Sequence, residues 1–331
     1  MRAAHWAITR REFAVLSGGA LAVAAGCRAA PRYRATDFTR PDMSPVVALA
    51  AADYGADFAD LIARGLRELQ VDLTGQRVLL KPNLVEYEPG TVINTHPLVV
   101  VGAAVACRRL GAREVLVAEG PGHRRDLEYL LESTGMLALL RSEKVPFVDL
   151  NHDDVHPVAL RTWFTALREL ALPQALLQAD VVVSMPKLKT HHWAGLTCGM
   201  KNFFGVVPGA VYGWPKNVLH FQGIHESILD IVATVRPHLT IVDGVVGMEG
   251  DGPILGTPKA AGVVLMGRDI VAVDATAARV MGLRPERITY LAEAGRFLGH
   301  TDAGRISMRG ERLERFVRPF EVLPVFAPLR A

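Results

Sequence analysis

Residues 179–208 read ADVVVSMPKLKTHHWAGLTCGMKNFFGVVP. The first six residues predict an apolar β-strand, and the remainder, with three lysines, two adjacent histidines and three glycines, predicts a loop. Open α/β sheets bind ligands where a strand ends in such a loop, because glycines let backbone N–H groups approach an anion closely. The stretch therefore predicts an α/β fold with a ligand site at the end of this strand. The alternative interpretation is a basic surface loop.

Strand and helix patterns alternate on both sides of this stretch. Short apolar runs predict strands at residues 46–50, 77–80, 114–118, 147–150, 180–184, 239–242, 262–266 and 305–308. Helical spacing of apolar residues predicts helices at 57–69, 97–110, 126–140 with a break near Gly135, 224–235, 270–281 and 287–298. This alternation predicts a mostly parallel sheet with helices on both faces.

Four of the predicted strands stop at charged or glycine-rich turns. The turns are Lys81-Pro82-Asn83, Glu119-Gly120, Pro186-Lys187 and Asp243-Gly244. Because the carboxyl ends of parallel strands share one edge of a sheet, we expect these turns to form one composite site.

Basic side chains at this edge predict a site for a small anionic ligand or a phosphate-bearing cofactor. Lys201 is the predicted catalytic lysine or cofactor tether, because Phe203 and Phe204 can shield it from water and so lower its pKa. The other predicted ligand-binding residues are Lys81, Asn83, Lys187, Lys189, Asn202 and Asp251.

His191 is the predicted acid–base residue, since imidazole transfers protons near neutral pH. Asp243 or Asp251 is expected to orient a lysine or a cation. Imidazole also suits transition metals, so His191 and His192 are candidate metal ligands, although their spacing matches no standard metal motif.

The first 27 residues predict an export signal. Thr9-Arg10-Arg11-Glu12-Phe13 is a twin-arginine pattern, and a weakly apolar run follows to Ala25. The run ends at Cys27 in a pattern resembling the box before a lipidated cysteine; cleavage nearby and a retained anchor are the alternatives. We expect recognition by the twin-arginine translocation machinery and a location in the periplasm or on the outer face of the membrane. Membrane contact is expected only through the leader or a lipid anchor.

The predicted organisation is a leader at 1–27, a tether at 28–44, an α/β domain at 45–300 and a C-terminal extension at 301–331. Without the leader the formal charge falls from +3 to +1, because three arginines and one glutamate are removed. That balance argues against a nucleic-acid-binding protein. Only Cys107 and Cys198 follow the leader, which excludes a self-contained iron–sulfur cluster or cysteine zinc site.

Several short blocks resemble the signatures of domain-of-unknown-function family 362, and the resemblance covers about residues 45–300. They are Lys81-Pro82-Asn83, Thr95-His96-Pro97, Pro186-Lys187-x-Lys189-Thr190-His191, Gly195-x-Thr197, Lys201-Asn202-x-x-Gly205, Val242-Asp243-Gly244, Gly250-Asp251-Gly252-Pro253 and Asp269-x-x-x-x-Asp274. Many members of that family carry a ferredoxin-type iron–sulfur segment, which this chain lacks. The family name implies no reaction.

A shorter block, His191-x-x-x-Gly195-x-x-x-Gly199-x-Lys201, is similar to one in nickel-pincer lactate racemases. There a histidine and a lysine hold a nickel-carrying nucleotide, so the resemblance implies a metal or nucleotide-type cofactor. The turn Gly120-x-x-His123-Arg124 loosely resembles their Gly-x-His-Arg turn, with one residue more. Three functions stay open: an exported enzyme acting on an anion, a non-catalytic periplasmic binding protein, and a metal-handling protein.

Overall fold

Runs of valine, leucine and alanine form the strands of one large mixed sheet, as expected where both faces of a sheet are covered. A computed structural model describes residues 31–122 and 126–331. Its strands are β1 Ser44–Ala50, β2 Arg77–Pro82, β3 Glu114–Glu119, β4 Phe147–Asp149, β5 Val155–Ala159, β6 Glu169–Pro173, β7 Val181–Met185, β8 Lys187–His191, β9 Gly195–Thr197, β10 Leu239–Glu249, β11 Thr257–Gly267 and β12 Ile306–Gly310. The predicted leader with Cys27, and the His123–Arg124 pair, lie outside the described residues.

Helices connect most of these strands. They are α1 Phe58–Glu68, α2 Pro97–Arg109, α3 Leu127–Ser133, α4 Met136–Ser142, α5 Gln174–Leu177, α6 Gly199–Asn202, α7 Gly209–Tyr212, α8 Asn217–Phe221, α9 Ile224–Val235, α10 Ile270–Val280 and α11 Thr289–Phe297. Asp269 caps α10 by accepting from Val271 N and Ala272 N. None of the helices in the described ranges has the length and apolar character needed to cross a membrane.

The main path of the sheet runs β12-β1-β11-β10-β7-β2-β3-β4, and β5 pairs only with β6 in a separate hairpin. Strands β7, β2, β3 and β4 are parallel neighbours, and β10 is parallel to β7 and β8. β11 is antiparallel to both β1 and β10, and β9 is antiparallel to β8. The predicted α/β fold with a mostly parallel sheet is confirmed.

Alternation along β2 shows that both faces of the sheet are packed. Val78 and Leu80 belong to a core cluster with residues of α1 and α2. Leu79 belongs to a second cluster with residues of α9, α10 and α11. Since successive side chains of a strand point to opposite faces, the helices form one layer on each side.

The segment after β7 differs from its prediction. Lys187–His191, predicted as loop, is the buried strand β8, which pairs with β10 through Lys187 opposite Asp243 and Lys189 opposite Met248. The sequence of this strand lacks the apolar pattern of a buried strand, because two of its residues are lysines. Their amines are buried with partners that lie far away along the chain. β10 also extends to Glu249, well beyond the predicted end at residue 242, in a long hairpin with β11.

The two end segments pack into the same unit, Tyr33–Ala331. Tyr33, in the predicted tether, stacks on Phe297 of α11 with ring centroids 4.1 Å apart. β12, in the predicted C-terminal extension, extends the sheet by pairing in parallel with β1. Cys107 and Cys198 are both buried and unpaired.

Candidate functional site

A pocket of about 330 Å³ lies where β2, β3 and β8 end. Asn83 follows β2, Glu119 ends β3 and His191 ends β8, and all three side chains line the pocket. Two polar atoms of the lining, Asn83 Oδ1 and Thr197 Oγ1, are buried without a hydrogen-bond partner among the described residues. Buried polar groups are normally paired, so these two atoms are available to a ligand.

A buried ion pair supports the floor of this pocket. Lys81 Nζ lies 2.8 and 2.7 Å from the two carboxylate oxygens of Glu119 and 3.1 Å from Asn202 Oδ1. Glu119 also accepts from the backbone N–H groups of Leu84 and Gly120. Burial lowers the pKa of Lys81, against the opposing effect of Glu119. Glu119 thus forms its ion pair with Lys81.

Asn202 joins α6 to the sheet. Its Nδ2 donates to Lys81 O at 3.0 Å and to Ser184 Oγ at 3.1 Å. Because these two acceptors lie near the ends of neighbouring strands β2 and β7, Asn202 fixes the position of the preceding residue, Lys201.

Two lysines of the pocket are held by backbone carbonyl groups alone. Lys189 Nζ donates to Ile93 O at 2.8 Å and to Pro253 O at 3.2 Å. Lys216 Nζ donates to Gly120 O at 2.8 Å and to Phe204 O at 2.7 Å. Burial lowers the pKa of Lys216 to about 7 and that of Lys189 well below its ordinary value. Neither amine has a carboxylate partner within residues 31–122 and 126–331.

Lys201 completes the group of lysines that line the pocket. Its Nζ lies 3.9 Å from the centroid of the Phe204 ring and has no hydrogen-bond partner in the described part of the chain. Burial, together with the nearby charge of Lys81, lowers the pKa of Lys201 to about 7. An amine with this pKa is present in both charged and neutral forms near neutral pH.

Asp274 holds the start of the helix that carries Lys201. Its Oδ1 accepts from Gly199 N at 2.7 Å and its Oδ2 accepts from Met200 N at 3.0 Å. Burial raises the pKa of Asp274 to about 7. This carboxylate occupies the N–H groups at the start of α6, which helix formation alone would leave unpaired.

His191 presents a protonated ring nitrogen to the pocket. Its Nδ1 accepts from Trp193 N at 3.0 Å and from Ala194 N at 3.3 Å, so the proton of the neutral ring is on Nε2. Burial, and next the charge of Lys201, hold the pKa of His191 well below its usual value. The ring is therefore neutral and acts as a hydrogen-bond donor.

The predicted metal ligands do not form a metal site with the residues described. His192 Nδ1 is 3.7 Å from Asp251 Oδ1, and both side chains are partly exposed. Within the described ranges no three His, Cys, Asp or Glu side chains are grouped as a metal ion requires. His191 Nε2, which carries its proton, has no lone pair for a metal.

Asp243 and Lys187, predicted as part of the same site, form a separate buried cluster beside the pocket. Lys187 Nζ lies 2.6 Å from Asp243 Oδ2 and 2.7 Å from Tyr54 Oη. Tyr54 Oη donates to Asp243 Oδ1 at 3.0 Å, and the Tyr54 ring stacks on His96. The β8–β10 pairing is irregular between Asp243 and Met248, which gives Lys187 surroundings different from those of Lys189.

The family model described as Domain of unknown function (DUF362) matches residues 78–279, more than half of the chain. The chain belongs to the DUF362 family. A thylakoid-associated protein of Synechocystis sp. is 31% identical over 226 residues, which cover 66% of this DUF362 protein and 67% of that relative.

Two solved structures are similar to part of this chain. The lactate racemase apoprotein from Thermoanaerobacterium thermosaccharolyticum has a TM-score of 0.38 and 16% identity, covering 64% of this chain and 53% of that chain. A Thermotoga maritima protein has a TM-score of 0.39 and 14% identity, covering 67% of this chain and 59% of that one. This chain thus spans less than two thirds of either solved chain. Likeness at this level describes the fold alone.

Lys216, Glu119 and Thr197 are among the polar pocket residues of this DUF362 protein that were not predicted individually as site residues. A compositional signal points to Lys216. The sequence contains seven lysines against 30 arginines. Of those seven, all but Lys144 and Lys259 lie in the pocket or in the two buried ion pairs beside it. Because arginine makes up most of the basic residues, the few lysines were worth considering as site residues from the composition alone.

Proposed function

We propose that this protein is an α/β enzyme that binds a small carboxylate- or phosphate-bearing molecule in the pocket described above. The observation that supports the proposal is the lining of one cavity by Lys189, Lys201 and Lys216, none with a carboxylate partner among the described residues. Burying several amines together is unfavourable unless a negative charge compensates them. A bound anion supplies that charge.

The dimensions and chemistry of the pocket agree with this role. Its volume of about 330 Å³ lies within the range of small-molecule sites. The unpaired Asn83 Oδ1 and Thr197 Oγ1, together with His191 Nε2–H, offer directional hydrogen bonds beside the amines. The lysines provide affinity for the anionic group, and these polar atoms orient the rest of the ligand.

Lys201 is the candidate reactive amine of the proposed enzyme, because it lines the pocket without a hydrogen-bond partner among the described residues, and its pKa of about 7 agrees with a role in proton transfer or nucleophilic attack. For His191 we propose a different role from the predicted acid–base one, supported by the two backbone N–H groups that its Nδ1 accepts from. Its Nε2–H donates to a ligand oxygen and polarises it while the ring stays neutral. In the alternative, a non-catalytic binding protein, the same residues bind the anion without turnover.

Calorimetric titration with sulfate and with acetate tests the anion site. We expect the wild-type protein to bind at least one of them, and Lys189→Met and Lys201→Met each to weaken binding by about tenfold or more, since an ionic hydrogen bond contributes roughly 1.5–3 kcal/mol. Lys144→Met is the matched control, because Lys144 is exposed and lies outside the pocket. Absence of binding in the wild type, or equal binding in all four proteins, contradicts the proposal.

A nickel-pincer racemase-like enzyme is the second candidate, because His191 and Lys201 line the same pocket. The residues as arranged do not fit that cofactor, since His191 Nε2 carries the proton that a metal ligand must lose. Metal analysis and native mass spectrometry of protein purified from its own host test this candidate. Stoichiometric nickel would favour it over a metal-independent anion site.

We also propose that the protein is exported by the twin-arginine route. The proposal rests on Arg10-Arg11 and the apolar run that follows them. The periplasm or the outer face of the membrane is the expected location.

A further inference from the structure

Lys201, which is partly buried, differs from the fully buried lysines in what its amine contacts. Lys81, Lys187, Lys189 and Lys216 each donate to two or more oxygen atoms, so their nitrogens are held in place by hydrogen bonds. Lys201 Nζ has no oxygen partner in the described residues and faces the cavity against the Phe204 ring. Lys201 is therefore the one amine of this group that is free to react.

The surroundings of Lys201 also permit the neutral form of the amine. Phe204 closes one side, and Glu119 forms its ion pair with Lys81, so its charge only partly opposes the lowering of the Lys201 pKa by burial and by Lys81. The lowered pKa of Lys201, about 7, agrees with this arrangement. Only an unprotonated amine has the lone pair that attacks an electrophilic carbon.

We propose that Lys201 is a covalent site at which its amine condenses with the carbonyl group of a small oxo compound that carries a carboxylate or a phosphate. This inference rests on the proposed anion pocket and narrows its ligand class. Lys189 and Lys216, in the same lining, hold the anionic group. His191 Nε2–H is available to the carbonyl oxygen.

The condensation is balanced without an oxidant or a reductant. The Lys201 nitrogen adds to the carbonyl carbon, a carbon–nitrogen bond forms, and the oxygen leaves as water. The product is a protonated imine, and the reaction consumes one proton beyond those of the neutral amine. The ammonium group of Lys189 or Lys216 can supply that proton, which solvent then restores.

Reductive trapping tests the proposal on the full folded protein. The wild type is incubated near pH 7 with pyruvate, or with pyridoxal 5′-phosphate, and reduced with borohydride; the modified lysine is then located by peptide mass spectrometry. We expect modification of Lys201 to exceed that of Lys144 and Lys259 by at least about tenfold, because an ordinary lysine is almost fully protonated at this pH. Pyridoxal, which lacks the phosphate, should modify Lys201 less than its phosphate ester does.

The Lys201→Arg variant, and sulfate as a ligand without a carbonyl group, distinguish imine formation at Lys201 from anion binding in the pocket. Lys201→Arg keeps a cation but forms no imine, so trapping in the pocket should disappear while the melting temperature of the ligand-free protein stays near that of wild type. Sulfate should compete with trapping in the wild type. Sulfate binding without a Lys201 adduct, or equal adducts at Lys144 and Lys259, overturns the imine and leaves the anion pocket. Loss of both sulfate binding and the adduct overturns both proposals.

Discussion

Lys201 and Lys216 set the pH range in which the pocket can hold an anion. The pKa of each is lowered to about 7 in the ligand-free protein, chiefly by burial. Above that pH the amines lose their protons, and the pocket loses the charge that attracts the ligand. A bound anion stabilises the ammonium forms, so binding takes up protons in this range.

We therefore expect sulfate affinity to fall as the pH rises from 6 to 9. The slope above pH 7 should approach about one tenfold step per pH unit for each amine that must regain a proton. Sulfate keeps its charge over this range. Calorimetry in buffers with different heats of ionisation measures the proton uptake directly, and a flat profile would contradict the assignment of these amines to the site.

Because the Lys81–Glu119 ion pair is buried, we expect neutralising Glu119 to lower the free energy of unfolding substantially. Glu119→Gln leaves Lys81 as an uncompensated buried charge and should lower the free energy of unfolding by about 3–5 kcal/mol. Glu114→Gln is the matched control, because Glu114 pairs with Arg77 at the other end of the same two strands and is partly exposed. Its cost should stay below about 1 kcal/mol. Chemical denaturation compares the two, and equal costs would argue against this account of Lys81.

At the residue scale the sequence brings most of the predicted polar side chains to one edge of the sheet, but it does not divide them correctly between the pocket and the neighbouring cluster. Of the predicted site residues, Lys81, Asn83, Lys189, His191, Lys201 and Asn202 lie in the pocket or contact its ion pair, whereas Lys187, Asp243 and Asp251 do not line it. Lys216 follows Trp214-Pro215 in a segment without periodicity, so local pattern does not reveal that it reaches Gly120 O across 96 residues. The protonation of His191 likewise depends on which backbone N–H groups its ring meets.

At the scale of elements, β8 shows why polar strands are missed. Alternation of apolar and polar residues along the sequence predicts a strand only when one face of that strand is apolar. Lys187 and Lys189 both point toward buried partners on β10 or in loops, so the strand carries charges where the pattern requires apolar residues. Those partners are known only once the sheet has formed. The predicted loop over residues 187–191 was wrong for that reason.

The segment Phe203–Val206, which follows α6, packs closely against the buried Lys81–Glu119 pair through Gly205. At Gly205, an added Cβ would overlap Glu119 Oε1 and Lys81 Nζ. Gly205→Ala should therefore displace the buried ion pair and cost about 1–3 kcal/mol, as overpacking usually does. Gly304→Ala is the control, because its added Cβ meets no atom closer than 3.5 Å. Thermal denaturation measures both, and an unchanged melting temperature for Gly205→Ala would show that the pair tolerates displacement.

For the whole molecule, the sequence predicts the class of fold better than the strand order. Alternating strand and helix patterns indicate the parallel neighbours β2, β3 and β4, because successive helices join them, whereas β7 pairs with β2 although β3 to β6 lie between them in the sequence. The other edge of the sheet depends on long-range pairing, since β1 lies between β11 and β12, both of which are more than 200 residues away. Nothing near residue 46 indicates those partners.

The export proposal also belongs to the whole chain. Replacing Arg10 and Arg11 with lysine should leave folded precursor in the cytoplasm, since the pathway reads the arginine pair. Arg2→Lys, in the same leader but outside the pair, should leave export unchanged. Cell fractionation with an antibody to the mature protein measures both. Normal export of the double variant would show that the chain uses another route.

Because the chain has few lysines and most of them lie in or beside the pocket, their side-chain signals can be used to observe the site by spectroscopy. Most proteins have many surface lysines, so isotope labelling of lysine side chains yields crowded nuclear magnetic resonance spectra. Here five of the seven labelled groups would report on the pocket and the ion pairs beside it. Lys144 and Lys259 would serve as two internal reference signals. A lysine-labelled sample would thus follow the charge state of each amine as a ligand is added, without altering a single residue.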